Sequence, residues 1–235
     1  MVKLGNFLFH YRNILFPVFY FLLFVPSPQL FDSNTFPLIL GFAIGLLGQG
    51  LRMATIGLVY IIRGGKNRQI YAEGLVTEGL FSHCRNPLYA GNILMIIGLG
   101  IMSNSLFFIG LMIPLFLFFY QAIVLAEEQF LYGKFGDQYR QYMDRVNRWI
   151  PRLSGINDTL HSMVFKWRRV MIKEYNTTYI WSSAAVLLVV KAYYSSLGWE
   201  YVLLKLNWII LALITLLAGY LFVRYKKKSK QWTDN

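Results

Sequence analysis

Residues 75–91, LVTEGLFSHCRNPLYAG, decide how the rest of the chain reads. They lie between two long apolar runs, yet Gly, Asn, Ser and charge make them too polar for hydrocarbon. Arg85, Asn86, Pro87 and Tyr89 fall close together there, and Gly91 closes the group. Pro87 drives Asn86 out of the helical region and suits the first turn of the helix that follows. The free N–H groups of that turn carry partial positive charge and can hold a carboxylate or phosphate. Arg85 adds a planar cationic fork. Tyr89 offers a hydroxyl and a ring face, and Gly91 leaves room for a ligand to approach the backbone. An ordinary helix start with an interfacial tyrosine would look much the same, so the weight falls on a second polar spot.

That spot is Glu127-Glu128, which ends the apolar run beginning soon after Asn104. Ser103-Asn104-Ser105 is a short polar turn between apolar residues 88–102 and 106–125, the pattern of a tight helical hairpin. Its outer ends, Asn86 and Glu127, therefore return to the same side of a membrane. Two adjacent acids at the negative end of a helix are unfavourable unless a ligand offsets them. A cation or sugar hydroxyls would do so. A compound with an ammonium, a sulfonium, a carboxylate and a ribose would satisfy both polar halves at once, and S-adenosylmethionine has all four.

The composition supports a membrane setting. Of 235 residues, 56% are hydrophobic and 14% charged, where a soluble domain carries about a quarter charged residues. The formal net charge of +12 sits beside apolar runs, as cytoplasmic loops and anionic lipid demand. No groove-reading motif accompanies it, so nucleic acid is not expected as a partner. Cys84 is the single cysteine, which excludes an internal disulfide and a thiolate metal cluster. With no base partner in view it reads as a small apolar residue rather than a nucleophile. No metal site is expected.

Six spans are predicted, at about 13–25, 37–62, 88–102, 106–125, 179–194 and 208–223. The fold class is all-α, a polytopic integral membrane protein. Residues 1–12 read as an interfacial lead-in and 130–146 as an amphipathic interfacial helix, with Leu131, Phe135, Tyr139, Tyr142 and Val146 on one face. Residues 152–177 read as a basic linker. Gly41, Gly45 and Gly48 favour close helix packing, and Pro114 a kink. Arg52 lies well inside its apolar run, where an arginine marks a cavity or a partner unless it snorkels to the surface. Lys and Arg concentrate in the N-terminus, 63–87, 126–177 and the C-terminal tail. The positive-inside rule then puts both termini and the polar site on the cytoplasmic face, of an inner or endoplasmic reticulum membrane. The sequon at Asn176 falls on that face and reads as chance. No internal repeat is apparent, against a transporter of duplicated halves. Three parts follow: 1–36 with the first span, a core at 37–151, and 152–235 with a terminal hairpin and basic tail.

The pattern from Leu75 through Thr77, Gly79, Phe81, Arg85-Asn86-Pro87, Tyr89 and Gly91 resembles the signature of integral membrane methyltransferases. That family includes isoprenylcysteine carboxyl methyltransferase and the phospholipid N-methyltransferases. Glu127-Glu128 followed by Leu131, Phe135-Gly136, Tyr139, Tyr142, Val146 and Arg148-Trp149-Ile150-Pro151 is similar as well, and Leu51-Arg52 more weakly. The resemblance implies S-adenosylmethionine bound on the cytoplasmic side and a lipid or prenylated substrate entering from the bilayer. It implies a cofactor-binding set of Gly79, Arg85, Asn86, Tyr89, Gly91, Glu127 and Glu128, with Arg52, Arg85 and Glu128 as the catalytic set. Carboxyl methyltransferases usually carry His where this chain has Asn86, while Asn-Pro is commoner in the phospholipid N-methyltransferases. Leu80 replaces a usual Pro, and two further spans follow the last motif. Carboxylate and amine acceptors both stay open.

The expected chemistry is in-line attack on an activated methyl group, with the protein supplying position and exclusion of water. A carboxylate acceptor is ionised at neutral pH, whereas an amine must first lose a proton to a nearby group. His83 is the one histidine in the stretch and reads as facing solvent. Arg52, Arg85 and Arg148 are the candidates for steering an anionic acceptor.

Overall fold

A computed structural model describes residues 1–59, 63–66 and 69–233, with the backbone alone for 63–66 and Gln69. The elements are α1 (Val2–Leu22), α2 (Thr35–Leu58), β1 (Arg63–Lys66), β2 (Gln69–Ala72), α3 (Pro87–Met102), α4 (Ile113–Phe135), α5 (Asp137–Arg145), α6 (Ile156–Ser162), α7 (Trp167–Leu204) and α8 (Leu206–Lys228). Six of these helices stand where six spans are expected. Four stretches are long and apolar enough to cross a membrane: Thr35–Leu58, Phe108–Phe135, Trp167–Leu204 and Leu206–Lys228. The 16 residues of α3 rise about 24 Å, short of a hydrocarbon core of about 30 Å. The chain is thus a helical integral membrane protein in which, among the described residues, four helices rather than six meet both tests.

Several expected boundaries move. The lead-in is no separate segment, because α1 is continuous from Val2. Much of the expected basic linker is the first part of α7, and the expected loop at 195–207 is largely its last part. At Gly198 the backbone reaches φ 79, ψ 178, a conformation open essentially to glycine, so the helix is interrupted there and a short further turn follows it. The amphipathic stretch divides at Gly136 (φ 51). Its apolar face does not lie on lipid: Leu131, Tyr139, Tyr142 and Val146 are buried together against Ala72 of β2. β1 and β2 pair antiparallel where a polar connection is expected. The expected end of the second span at Ile62, and Asn67-Arg68, lie outside the described residues.

The α2–α3 contact positions the site. A Cβ at Gly48 would stand 2.6 Å from the Gly91 carbonyl oxygen, and one at Gly98 would stand 2.6 Å from the Gly45 backbone nitrogen. The two backbones touch because neither side carries a side chain, as the glycine spacing predicts. One turn past Gly48, Arg52 lays its aliphatic stem over Gly91. The room left by Gly91 is taken up by the Arg52 stem. Gly48→Val must push backbone against backbone, which is worth about 1–3 kcal/mol of destabilisation. A lowered melting midpoint in detergent is the expected result, and an unchanged one would show that α2 and α3 separate freely.

The end of the bundle remote from Arg85 is closed by buried polar groups. Asn104 accepts from the N–H groups of Leu30 (3.1 Å) and Phe31 (2.9 Å) and donates to the side chain of Asn34 (2.9 Å). Lys191 of α7 donates to the carbonyls of Leu23 (2.8 Å) and Ser103 (3.1 Å). The expected distortion near Pro114 takes the form of a π turn over Phe108–Met112. A widened turn accommodates a residue without an N–H whose ring crowds the preceding turn.

Candidate active site

The polar loop before α3 is held by the segment after α5. Arg85 N–H donates to the Asn147 carbonyl and Arg152 N–H to the His83 carbonyl, both at 2.9 Å. Asn86 Nδ2 donates to the Arg148 carbonyl at 3.3 Å, and Tyr142 Oη to the Phe81 carbonyl at 2.6 Å. Asn86 adopts φ −130, ψ 51, and Pro87 opens α3, as the residue before a proline requires. Trp149 Nε1 donates to Gln121 of α4 at 3.0 Å. The two sequence motifs are thereby tied into one scaffold at one end of the bundle.

Inside that scaffold is a cavity of about 830 Å³, within the range of about 300–1,000 Å³ usual for ligand sites. Arg52, Arg85, Asn86, Tyr89 and Glu127 all line it. The tight hairpin has therefore brought the arginine corner and the first acid of the pair to one space. Asn86 Oδ1 is buried without a hydrogen bond among the described residues, while Arg85 Nε lies 3.5 Å from the Glu128 carboxylate. An acceptor left so is what a bound polar ligand would satisfy. The Tyr89 ring meets Tyr120 edge-on at 5.3 Å between centroids.

Arg52 does not snorkel. Nε donates to Glu174 Oε2 at 2.8 Å and Nη2 to Oε1 at 2.5 Å. Nη1 donates to Asn92 Oδ1 at 2.7 Å and the Leu88 carbonyl at 3.3 Å. Asn92 in turn donates to Tyr120 Oη at 2.8 Å. Half-buried Arg52 thus has a bidentate partner on α7, and the network fixes where its guanidinium faces the cavity. Sequence reading missed Glu174, Asn92 and Tyr120. A signal existed for Glu174: it is the only acid in α7 before the apolar run, and a buried arginine demands a counter-charge.

Residues 37–138 match the phospholipid methyltransferase family. The resemblance drawn from the motifs is thereby shown for that segment, which holds Arg52, Arg85, Asn86, Tyr89 and both acids. The chain is similar to the cobalt-zinc-cadmium resistance protein CzcN of Cupriavidus metallidurans, 38% identical over 121 residues, 50% of this chain and 51% of the relative. It is similar to the nickel-cobalt-cadmium resistance protein NccN of Alcaligenes xylosoxydans xylosoxydans, 34% identical over 114 residues, 47% of this chain and 50% of the relative. A third relative is the protein-S-isoprenylcysteine O-methyltransferase of Schizosaccharomyces pombe, 33% identical over 114 residues, 45% of each chain. The chain spans about half the length of these curated relatives. No solved structure matches it.

The remaining members of the expected site lie around the cavity rather than on it. Glu128 faces away and accepts from Arg148 Nε at 3.1 and 3.0 Å and Nη2 at 2.7 Å, with Arg85 Nε 3.5 Å off. Its hydrogen bond holds the Arg148 guanidinium above its ordinary pKa. Glu128 is thus placed to hold the two arginines. Gly79 (φ +59) packs on Val59 and Met163, where the positive φ explains the glycine. His83 is buried, not solvent-facing, and its ring nitrogens bond the Arg152 carbonyl (2.6 Å) and Thr159 Oγ1 (2.9 Å). Burial pushes the Cys84 thiol up from its ordinary pKa, opposite to what a nucleophile needs. The Cys84 thiol should react slowly with maleimide at neutral pH in the folded protein. A fast-labelling Cys84 would reverse this assignment.

Proposed function

We propose that the chain is an S-adenosylmethionine-dependent membrane methyltransferase acting on a lipid-linked acceptor at the cytoplasmic face. The observation that carries the reading is a single cavity with Arg85, Asn86, Tyr89 and Glu127 at its polar end and an apolar remainder reaching Phe24, Phe116 and Leu187. One space of that size suits a polar donor and the head of an amphiphile side by side. The unsatisfied Asn86 Oδ1 fits an amine or hydroxyl of the donor, Arg85 its carboxylate, and Glu127 its ribose or ammonium. The bound donor supplies an electrophilic methyl carbon, and that is all the chemistry asked of it. Asn86, Tyr89 and Glu127 orient it, Arg52 and Arg85 present fixed positive charge, and the apolar walls exclude water.

Carboxyl O-methylation, of the isoprenylcysteine type, is the first reading. The two ring nitrogens of His83 are engaged away from the cavity, so His83 offers no imidazole base, and a carboxylate needs none. Phospholipid N-methylation is the second reading, favoured by the family match and by Glu127 on the cavity wall as a carboxylate able to take an amine's proton. Two relatives carry metal-resistance names. Among the described residues no group of three or more His, Cys, Asp or Glu is arranged for a metal ion, so metal binding is not carried over. The test is titration of detergent-purified protein with S-adenosylmethionine, then incubation with labelled donor and extracted lipids. A base-labile methyl ester supports the first reading and a base-stable product the second. Absence of donor binding would instead leave a transporter or scaffold.

A further inference from the structure

We propose that an anion-holding corner, made by Arg12 and Asn13 of α1 with Asn176 and Thr177 of α7, selects the acceptor. This rests on the methyltransferase reading and adds the recognition element that reading lacks. All four residues lie outside the family segment 37–138, and all four line the cavity.

Charge pairing leads there. Three arginines line the cavity: Arg12, Arg52 and Arg85. Arg52 is held bidentate by Glu174, and Arg85 stands 3.5 Å from Glu128. Among the described residues no carboxylate lies within ion-pair distance of Arg12. Its guanidinium sits 4.0 Å from the centre of the Phe9 ring, one turn back on α1. A ring face orients a cation without neutralising it. Arg12 is therefore a positioned positive charge on the cavity wall, in a space that Asn13, Asn176 and Thr177 also line, and the described residues supply it no counter-ion.

The shape of the cavity says what brings that counter-ion. α1 and α7 leave the Arg12 end in the same direction and are tied at the far end by Lys191 on the Leu23 carbonyl. Between those ends Phe21, Ile180 and Leu187 line the cavity and are also 76%, 49% and 42% exposed. The cavity is thus open sideways between the two helices, along an apolar slot about 18 Å long from Arg12 to Phe24. A hydrocarbon chain fits the slot while its anionic group meets Arg12. The anion is a carboxylate on a prenylated cysteine or a phosphate on a lipid, and both present one negative charge beside a chain.

The test uses the full chain in detergent without donor. Two probe pairs are titrated: an S-prenylcysteine carboxylate against its neutral carboxamide, and a long-chain alkyl phosphate against the matching alcohol. For one pair the wild type should prefer the anion about tenfold or more. Arg12→Gln should reduce that preference to near unity, and Arg12→Lys should restore most of it. The pair that responds names the headgroup. Thr177→Val with Asn176→Leu should weaken the same preference through α7. Equal affinity within both pairs for the wild type, or a preference that survives Arg12→Gln, overturns the proposal. S-adenosylhomocysteine titrated into the same samples reads the donor half separately. Lost donor binding with an intact anion preference would sink the methyltransferase reading and not the corner, and the converse would sink the corner alone.

Discussion

Glu174→Ala should be among the most damaging single substitutions in the chain. It leaves Arg52 buried without its bidentate partner, and breaking a buried pair in this way is worth about 3–5 kcal/mol. The expected result is a large fall in the detergent melting midpoint and loss of methyl transfer, because Arg52 also holds Asn92 and, through it, Tyr120. A double variant separates the two consequences. Arg52→Leu with Glu174→Leu removes both charges, and apolar replacement of a whole pair is often neutral for stability. The double variant should regain most of the melting midpoint and none of the turnover. Recovery of turnover as well would mean that Arg52 is scaffolding alone, with no part in the cavity's chemistry.

Glu128→Gln is the second large effect. Its carboxylate accepts three hydrogen bonds from Arg148 and lies beside Arg85. Without the charge, Arg85 loses the group that holds its guanidinium against the cavity wall, and donor affinity should fall at least tenfold, or about 1.4 kcal/mol. The sign with pH follows from Arg148. Its pKa is raised by the Glu128 hydrogen bond, so the gain is complete below its unfolded value and is lost only as pH rises through the folded one. Both lie far above neutrality. The melting difference between wild type and Glu128→Gln should therefore stay flat from about pH 6 to 9. A difference that vanishes toward pH 9 would assign the effect to another group. Glu127→Gln should weaken the donor as well, because Glu127 lines the cavity itself.

The amino-acid order alone determined the membrane class, the tight turn at Asn104, the glycine seam between α2 and α3, and the return of Asn86 and Glu127 to one end. Each follows from local rules: apolar length, a short polar turn, small residues at helical spacing, and a proline that fixes the residue before it. What only the tertiary structure decided is which partner each charge takes. Glu127 and Glu128 are adjacent in sequence, yet the first lines the cavity and the second turns to Arg148, since neighbours on a helix point about 100° apart. Arg52 found Glu174, a residue 122 positions away, and no periodicity in either helix could announce that meeting. The stretch beyond residue 152 read as a linker and an appended hairpin because its basic character masked a helix. Folded, α7 forms one wall of the cavity, and Arg52, half-buried beside the glycine seam, takes the carboxylate that α7 brings within reach.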